Sequence, residues 1–151
     1  MKFLMDSMFG KLARMLRMLG YDAVYVRDNE RKNLSDPELQ KDRTLNTKDS
    51  RTKFNTKDIF ITRETDPFKQ LLILKDLYNL TPEKAFTVCM ECNAPLNSEE
   101  KENVYSKIPP RVFENYNGYT KCPECFRIYW RGTHYNAMAE KLKKAGFIYK
   151  P

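Results

Sequence analysis

The chain has 151 residues, of which 41% are hydrophobic, 31% charged and 13% aromatic. It can therefore bury one core, and this is not the composition of a disordered or fibrous protein. It carries 27 Lys and Arg against 20 Asp and Glu, a net charge of +7 that favours polyanionic partners. Its apolar runs are too short to span a bilayer, and the opening MKFLMD lacks the apolar region of a signal peptide. We therefore expect a cytoplasmic location and no membrane partner.

The first 28 residues predict a β-α-β unit. An apolar run at 2–5 predicts a strand, and a second strand is predicted at 21–26. Between them, apolar residues recur at the spacing of a helix, and Gly20 fits the position just after its end; these residues are Phe9, Leu12, Leu16 and Leu19. The two strands must be parallel and joined by a right-handed crossover.

The pattern weakens between residues 28 and 58, where charges dominate. Asp36 and Pro37 have the character of a helix cap and a first helical residue. Residues 44–47 predict only a poor, short strand, and residues 58–62 predict a better one. Asp66 and Pro67 open a further helix that is rich in leucine.

Four cysteines form two Cys-x-x-Cys pairs that are separated by 29 residues, 93 to 121. They are Cys89, Cys92, Cys122 and Cys125. Two such pairs supply the four thiolates that a tetrahedral zinc ion requires, and four thiolates leave no open position for catalysis. Two disulfides or a redox pair are the alternatives, but a cysteine-poor chain of this length does not resemble a disulfide scaffold. The sequence predicts a structural Zn²⁺ site.

The predicted fold class is α/β, with a small parallel-sheet domain at 1–85 and a zinc ribbon with a carboxyl-terminal helix at 86–151. Within the ribbon, residues 97–106 predict a helix that the prolines at 109 and 110 end. Residues 126–130 predict a ribbon strand. Thr133 is expected to cap the last helix, which ends near Ala145 before Gly146.

Acidic residues follow the predicted strands of the first domain. Asp6, Asp28 and Asp49 each follow a strand, and Glu38 lies near a helix start. Ligands collect beyond the carboxyl ends of parallel strands, so these carboxylates could converge on Mg²⁺ or Mn²⁺ and support phosphodiester hydrolysis. The alternative is structural, because aspartates also end strands and cap helices.

The sequence resembles the Mut-seven C-terminal ribonuclease family, a PIN-like nuclease domain followed by a zinc ribbon. The resemblance rests on MKFLMDSMFGKLARMLRMLGYDAVY at the amino terminus and IPPRVFENYNGYTKCPECFRIYWRGTHYNAMAEKL near the carboxyl terminus. Between these ends, Asp66-Pro67 with Gln70-Leu71 and the segment Cys89–Asn93 also match. The resemblance implies a three-layer fold and a divalent-metal-dependent endoribonuclease. It assigns the metal-binding carboxylates to Asp6, Glu38 and Asp49, assisted by Asp28 or Asp36.

The middle of the chain departs from the family, which leaves two hypotheses. The interval from Glu38 to Asp49 is shorter than the family's, and the strand before Asp49 lacks an aliphatic run. The protein is thus either an active ribonuclease or an inactive RNA-binding or ribosome-associated protein whose nuclease core is degenerate within 30–58. A protein-interaction ribbon or a toxin-like nuclease is a third, weaker possibility. Phe126 stands where a glycine commonly follows the second cysteine pair.

RNA is the expected partner under both hypotheses, with ribosomal or transfer RNA as candidates. The residues expected to contact it are basic or aromatic: Lys11, Arg14, Arg127, Trp130, Arg131 and His134. For Trp130, packing within the protein is the alternative to stacking on a base. For His134, the alternative is a role at the start of the last helix.

Overall fold

The amino-terminal half of the chain builds a four-stranded parallel sheet with the order β2-β1-β3-β4. A computed structural model describes residues 1–48 and 59–148. The strands are β1 (Lys2–Met5), β2 (Asp22–Tyr25), β3 (Arg43–Thr47) and β4 (Ile59–Ile61). Strand β1 lies inside the sheet, because Leu4 pairs with Val24 on one side and with Leu45 on the other.

Alternating side chains of β1 point into two apolar cores, one on each face of the sheet. Phe3 and Met5 face the larger core, which is covered by α1 (Gly10–Met18), α3 (Pro67–Tyr78) and the carboxyl-terminal helix α5 (Thr133–Lys144). Leu4 faces the opposite core, beneath a 3-10 helix (Asp28–Ser35) and the one-turn helix α2 (Pro37–Gln40). The α/β fold class and its three layers are therefore confirmed.

Helix ends in this half follow the predicted local signals. The Asp36 carboxylate accepts a 2.9 Å hydrogen bond from the Glu38 amide, and the Asp66 carboxylate accepts one of 2.9 Å from the Lys69 amide. Gly20 follows α1 with a φ of 89°, and a Cβ there would lie 1.9 Å from the Lys84 carbonyl oxygen. Only glycine fits this turn.

Strand β3 is better formed than the sequence predicted. It has five residues, pairs with β1 and β4, and buries every side chain from Thr44 to Thr47. Its polar side chains are largely satisfied in the interior: the Thr47 hydroxyl donates to Asp6, and the Asn46 amide nitrogen donates to the Thr44 carbonyl. Among the described residues, Asn46 Oδ1 is buried without a hydrogen-bond partner. Counting aliphatic residues underestimated this strand for that reason.

The ribbon is a three-stranded antiparallel sheet of β5 (Asn97–Glu99), β6 (Tyr119–Lys121) and β7 (Ile128–Trp130). The helix predicted at 97–106 is wrong, because 97–99 pair with β6 and only Lys101–Val104 forms a 3-10 turn. The two prolines begin a helix rather than end one: α4 (Pro110–Asn115) has Pro110 in its first turn, where no amide donor is needed.

The carboxyl-terminal helix returns to the core of the parallel sheet. Leu142, Ala145 and Phe147 are buried with Leu71 and Leu74 of α3. Gly146 follows the helix with a φ of 74°, as predicted. The division near residue 85 stays a prediction, since this core draws side chains from both sides of it.

The predicted cap of α5 is wrong by one residue. Gly132 occupies the cap position and Thr133 is the first helical residue, with no side-chain cap hydrogen bond. No helix within the described residues is long and apolar enough to cross a membrane.

Candidate metal centre and acidic edge

The two cysteine pairs meet in one cluster. The Sγ atoms of Cys89, Cys92, Cys122 and Cys125 all lie within 4.8 Å of one another, and those of Cys89 and Cys125 are 3.7 Å apart. A tetrahedral zinc site with metal–sulfur bonds of about 2.3 Å has sulfur–sulfur edges of about 3.8 Å. The donor set and its spacing therefore fit Zn²⁺. A closed set of four thiolates would give the ion a structural role.

Each pair forms a tight turn, which we call a knuckle: residues 89–93 are knuckle 1 and residues 122–126 are knuckle 2. In each, the amide of the second cysteine points at the sulfur of the first, at 3.4 Å in knuckle 1 and 3.5 Å in knuckle 2. The residue after each pair has a left-handed backbone conformation, with a φ of 67° at Asn93 and 60° at Phe126. Asparagine tolerates that conformation, whereas a bulky residue such as phenylalanine is strained there.

The thiols of the cluster differ in acidity. Burial favours the neutral thiol of Cys89, but hydrogen bonds from the Tyr129 hydroxyl, 3.1 Å away, and from backbone amides outweigh it and lower its pKa to about 7. A hydrogen bond with Cys125, together with burial, raises the pKa of Cys92 to about 12. Four adjacent thiols resist losing their protons together unless a cation compensates the charge.

Knuckle 1 is fixed to the parallel sheet by a buried arginine that the sequence analysis did not single out. Arg17 on α1 is 6% exposed and donates from Nε to the Ala23 carbonyl of β2 at 2.9 Å. Its Nη1 donates to the carbonyls of Met90 and Glu91 at 2.9 and 2.8 Å. One guanidinium thus satisfies three carbonyls from two parts of the chain. Arg17 lies four positions after Ala13 and therefore on the apolar face of α1. A charged residue on that face is the sequence signal that could have revealed its buried role.

A second contact joins knuckle 1 to the same strand. The Asn93 side chain accepts from the Ala23 amide at 2.8 Å and donates to Asp22 at 2.6 Å. Arg43 of β3 donates to both carboxylate oxygens of Asp22, and each hydrogen bond is 2.8 Å long. Because β2 is an edge strand, the knuckle satisfies backbone groups of Ala23 that the sheet leaves unpaired. We call the contacts of Arg17 and Asn93 with β2 and knuckle 1 the knuckle–sheet contact.

Asp6 lies at the point where the chain order of the sheet reverses. The connection from β1 leads to β2 on one side, and β3 lies on the other side of β1. Open parallel sheets bind ligands at such a point, beyond the carboxyl ends of the strands. The Asp6 carboxylate is 1% exposed; it accepts 2.7 Å from the Ser7 amide and 2.8 Å from the Thr47 hydroxyl. The 3-10 turn after β1 and strand β3 therefore hold this carboxylate in one orientation.

The other predicted carboxylates have different positions relative to Asp6. The exposed Asp28 is linked to it by Ser7, whose hydroxyl donates to Asp28 while its amide donates to Asp6. Glu38 is exposed on α2. Asp49 lies outside the described residues. Within the described ranges, the cysteine cluster alone gathers three or more potential metal ligands. We define Asp6, Ser7, Asp28 and Thr47 as the acidic edge.

The basic residues predicted on α1 and directly after knuckle 2 meet at one glutamate. Arg14 Nη2 lies 2.9 Å from Glu91 Oε2, and Arg127 Nη1 lies 3.3 Å from Glu91 Oε1. Lys11 is exposed one turn before Arg14 on the same helix. Glu91 thus connects basic residues of the parallel-sheet half with those of the ribbon.

The remaining predicted RNA-binding residues surround the start of α5. Trp130 is half-buried against the ribbon core, and its indole covers Gly132, where a Cβ would lie 2.6 Å from the ring nitrogen. The exposed Arg131 guanidinium lies 5.7 Å from the centre of the Tyr135 ring. His134 is exposed in the first turn of α5.

The fold and its sites define an α/β domain with a parallel sheet, a buried aspartate at its switch point and a four-cysteine cluster. A family model described as Mut7-C RNAse domain matches residues 1–142, and the chain belongs to this family. Membership indicates a nuclease-like function and confirms the family suggested by the sequence. Neither the curated proteins nor the solved structures include a significant match.

The knuckle–sheet contact predicts that Arg17→Met destabilises the zinc-loaded protein by about 3 kcal/mol, because three carbonyls lose a charged donor. The matched control is Arg14→Met on the same helix, whose side chain is 61% exposed, and we expect it to cost less than about 1 kcal/mol. Urea denaturation measures both. Equal losses in the two variants would contradict the assigned role of Arg17.

The left-handed turn residues predict opposite effects of glycine in the two knuckles. Phe126→Gly relieves backbone strain and is expected to stabilise the zinc-loaded protein by about 1 kcal/mol. Asn93→Gly removes the hydrogen bonds to Ala23 and Asp22 and is expected to destabilise it. Thermal unfolding distinguishes them, and a loss of stability in Phe126→Gly would show that its backbone is not strained.

Proposed function

We propose that the protein is a PIN-like, divalent-metal-dependent endoribonuclease, and that its zinc ribbon helps to bind the RNA. The observation that supports it best is the buried Asp6 carboxylate at the switch point, bonded by Ser7 and Thr47. The chain's membership of an RNase-domain family supports the same activity.

The acidic edge would hold the cation between carboxylates of unequal exposure. Asp6 is buried and accepts from the Ser7 amide and the Thr47 hydroxyl, whereas Asp28 is exposed and accepts from the Ser7 hydroxyl, so Asp28 can adjust to a ligand. Asp49, two residues after Thr47 in the sequence, and Glu38 are the further ligands that the family resemblance implies. Mg²⁺ or Mn²⁺ bound there would supply charge neutralisation at the phosphate and an activated water.

RNA is the proposed substrate and partner because a net charge of +7 favours a polyanion. The exposed residues Lys11, Arg131 and His134 offer contacts for phosphates. Ribosomal or transfer RNA as the target, ribosome association and a cytoplasmic location stay predictions from the sequence.

The second candidate is a binding protein that has lost catalysis. One observation favours it: Glu38 lies exposed on a helix of a single turn, and the acidic edge gathers no third carboxylate among the residues that the structure describes. Under this alternative the acidic edge would be a remnant and the ribbon would carry the function.

The proposed activity predicts that Asp6→Asn lowers manganese-dependent RNA cleavage by at least about 100-fold, because the best-positioned metal ligand is lost. The matched control is Asp76→Asn, an exposed aspartate on α3 that is expected to cleave normally. Cleavage of labelled RNA, with and without Mn²⁺, measures both. Full cleavage by Asp6→Asn would refute the acidic edge as the site, and RNA bound but intact with every variant would support the binding protein.

A further inference from the structure

Helix α3 is apolar around most of its circumference, although the described chain covers only part of it. Five of its apolar residues pack in the core of the parallel sheet: Phe68, Leu71, Leu72, Leu74 and Tyr78. Ile73 and Leu77, one turn apart, are instead 41% and 56% exposed. A surface helix normally turns polar residues toward solvent, and a helix that is apolar on all sides is typically covered on all sides. The exposed side of α3 therefore has the composition of an interface.

Two exposed charges of opposite sign lie beside these apolar residues. Lys69 is one turn before Ile73, and Asp76 is two turns after Lys69. Neither charge forms a salt bridge with another described residue. Residues at i, i+4, i+7 and i+8 share one side of a helix. We call the four residues Lys69, Ile73, Asp76 and Leu77 the α3 face.

The α3 face is complementary to itself. Lys69 and Asp76 are about 10.5 Å apart along the helix axis, and the midpoint between them falls beside Ile73. A second α3, running antiparallel about a two-fold axis at this midpoint, places Ile73 against Ile73. It also places each Lys69 against Asp76 of the other copy. Two-fold dimers require a surface of this kind, because the same patch of both copies meets itself.

The charge of the protein favours a second copy on this face over a polyanion. The chain carries a net charge of +7, so repulsion opposes most contacts between two copies. The α3 face carries one positive and one negative charge and therefore avoids that repulsion. A polyanion gains no electrostatic energy from a face whose charges are balanced.

We propose that the α3 face is the interface of a homodimer, in which two copies pair antiparallel through Ile73 and Leu77 with a Lys69–Asp76 ion pair at each end. The contact follows one helix of about 18 Å, which is short for a protein interface, so the dimer is weak and depends on protein concentration. It uses no residue of the acidic edge and goes beyond the proposed activity. Cleavage requires the acidic edge of one chain, so Asp76→Asn is a control for it in either oligomeric state.

Charge exchange tests the pairing, with sedimentation velocity of the zinc-loaded full chain as the measurement. We expect the wild type to pass from monomer to dimer as its concentration rises. Lys69→Asp and Asp76→Lys each bring like charges together at both ends of the contact, and each should weaken association on the order of 10-fold. Both positions are exposed, and both changes suit the helix dipole, so the monomer should keep its fold.

An equimolar mixture of the two single variants should associate again, because every facing pair then joins opposite charges. The double variant Lys69→Asp with Asp76→Lys should recover self-association for the same reason. A change confined to one chain cannot produce recovery on mixing, so this result identifies the second copy as the occupant.

Ile73→Ser removes the apolar contact at the two-fold axis and should also weaken association. Its matched control is Ile148→Ser, an 88% exposed isoleucine outside α3, which should associate as the wild type does. A wild type that stays monomeric up to about 1 mM would overturn the proposal. Undiminished association of the single variants, or a mixture that stays monomeric, would also overturn it. Association is measured without RNA or Mn²⁺, so neither result depends on the proposed nuclease activity.

Discussion

The structure depends on one buried cation, the Arg17 guanidinium between the parallel sheet and knuckle 1. It bonds the carbonyl of Ala23 and those of Met90 and Glu91, and Asn93 completes the contact from the other side. Edge strands expose unpaired backbone groups that invite association, and knuckle 1 covers part of this one. Zinc, through the rigidity that it gives the knuckle, is thus expected to stabilise the sheet as well as the ribbon.

This contact relates the acidic edge to the ribbon. Helix α1 carries Arg17 on its interior face, begins after the 3-10 turn that Asp6 caps, and ends at Met18, whose carbonyl accepts from the Phe86 amide. The acidic edge and the ribbon are therefore joined by a helix that is itself fixed to knuckle 1.

The sequence predicted those parts of the fold that local chemistry determines. We could predict the β-α-β unit, the helix caps at Asp36 and Asp66, and the cysteine cluster. Periodicity, capping residues and ligand spacing are short-range signals in the sequence. Strand β3, the ribbon strand β5 and the role of Arg17 could not be predicted in the same way, because each depends on partners distant in sequence. Thr47 is stable in the sheet through Asp6, 41 residues away, and Arg17 through Glu91, 74 residues away. Of the candidate site, Asp6 and the cysteines could be predicted, whereas the linkage through Ser7 required the structure.

Hydrogen exchange of β2, with zinc bound and after its chelation, tests most directly whether the zinc knuckle supports the sheet. The Ala23 amide donates to Asn93 of knuckle 1, so its protection should fall together with that of the ribbon when zinc is removed. Strand β1, inside the sheet, should lose less. If β2 kept its full protection while residues 89–126 exchanged freely, the ribbon would be a separate appendage and the account would be contradicted.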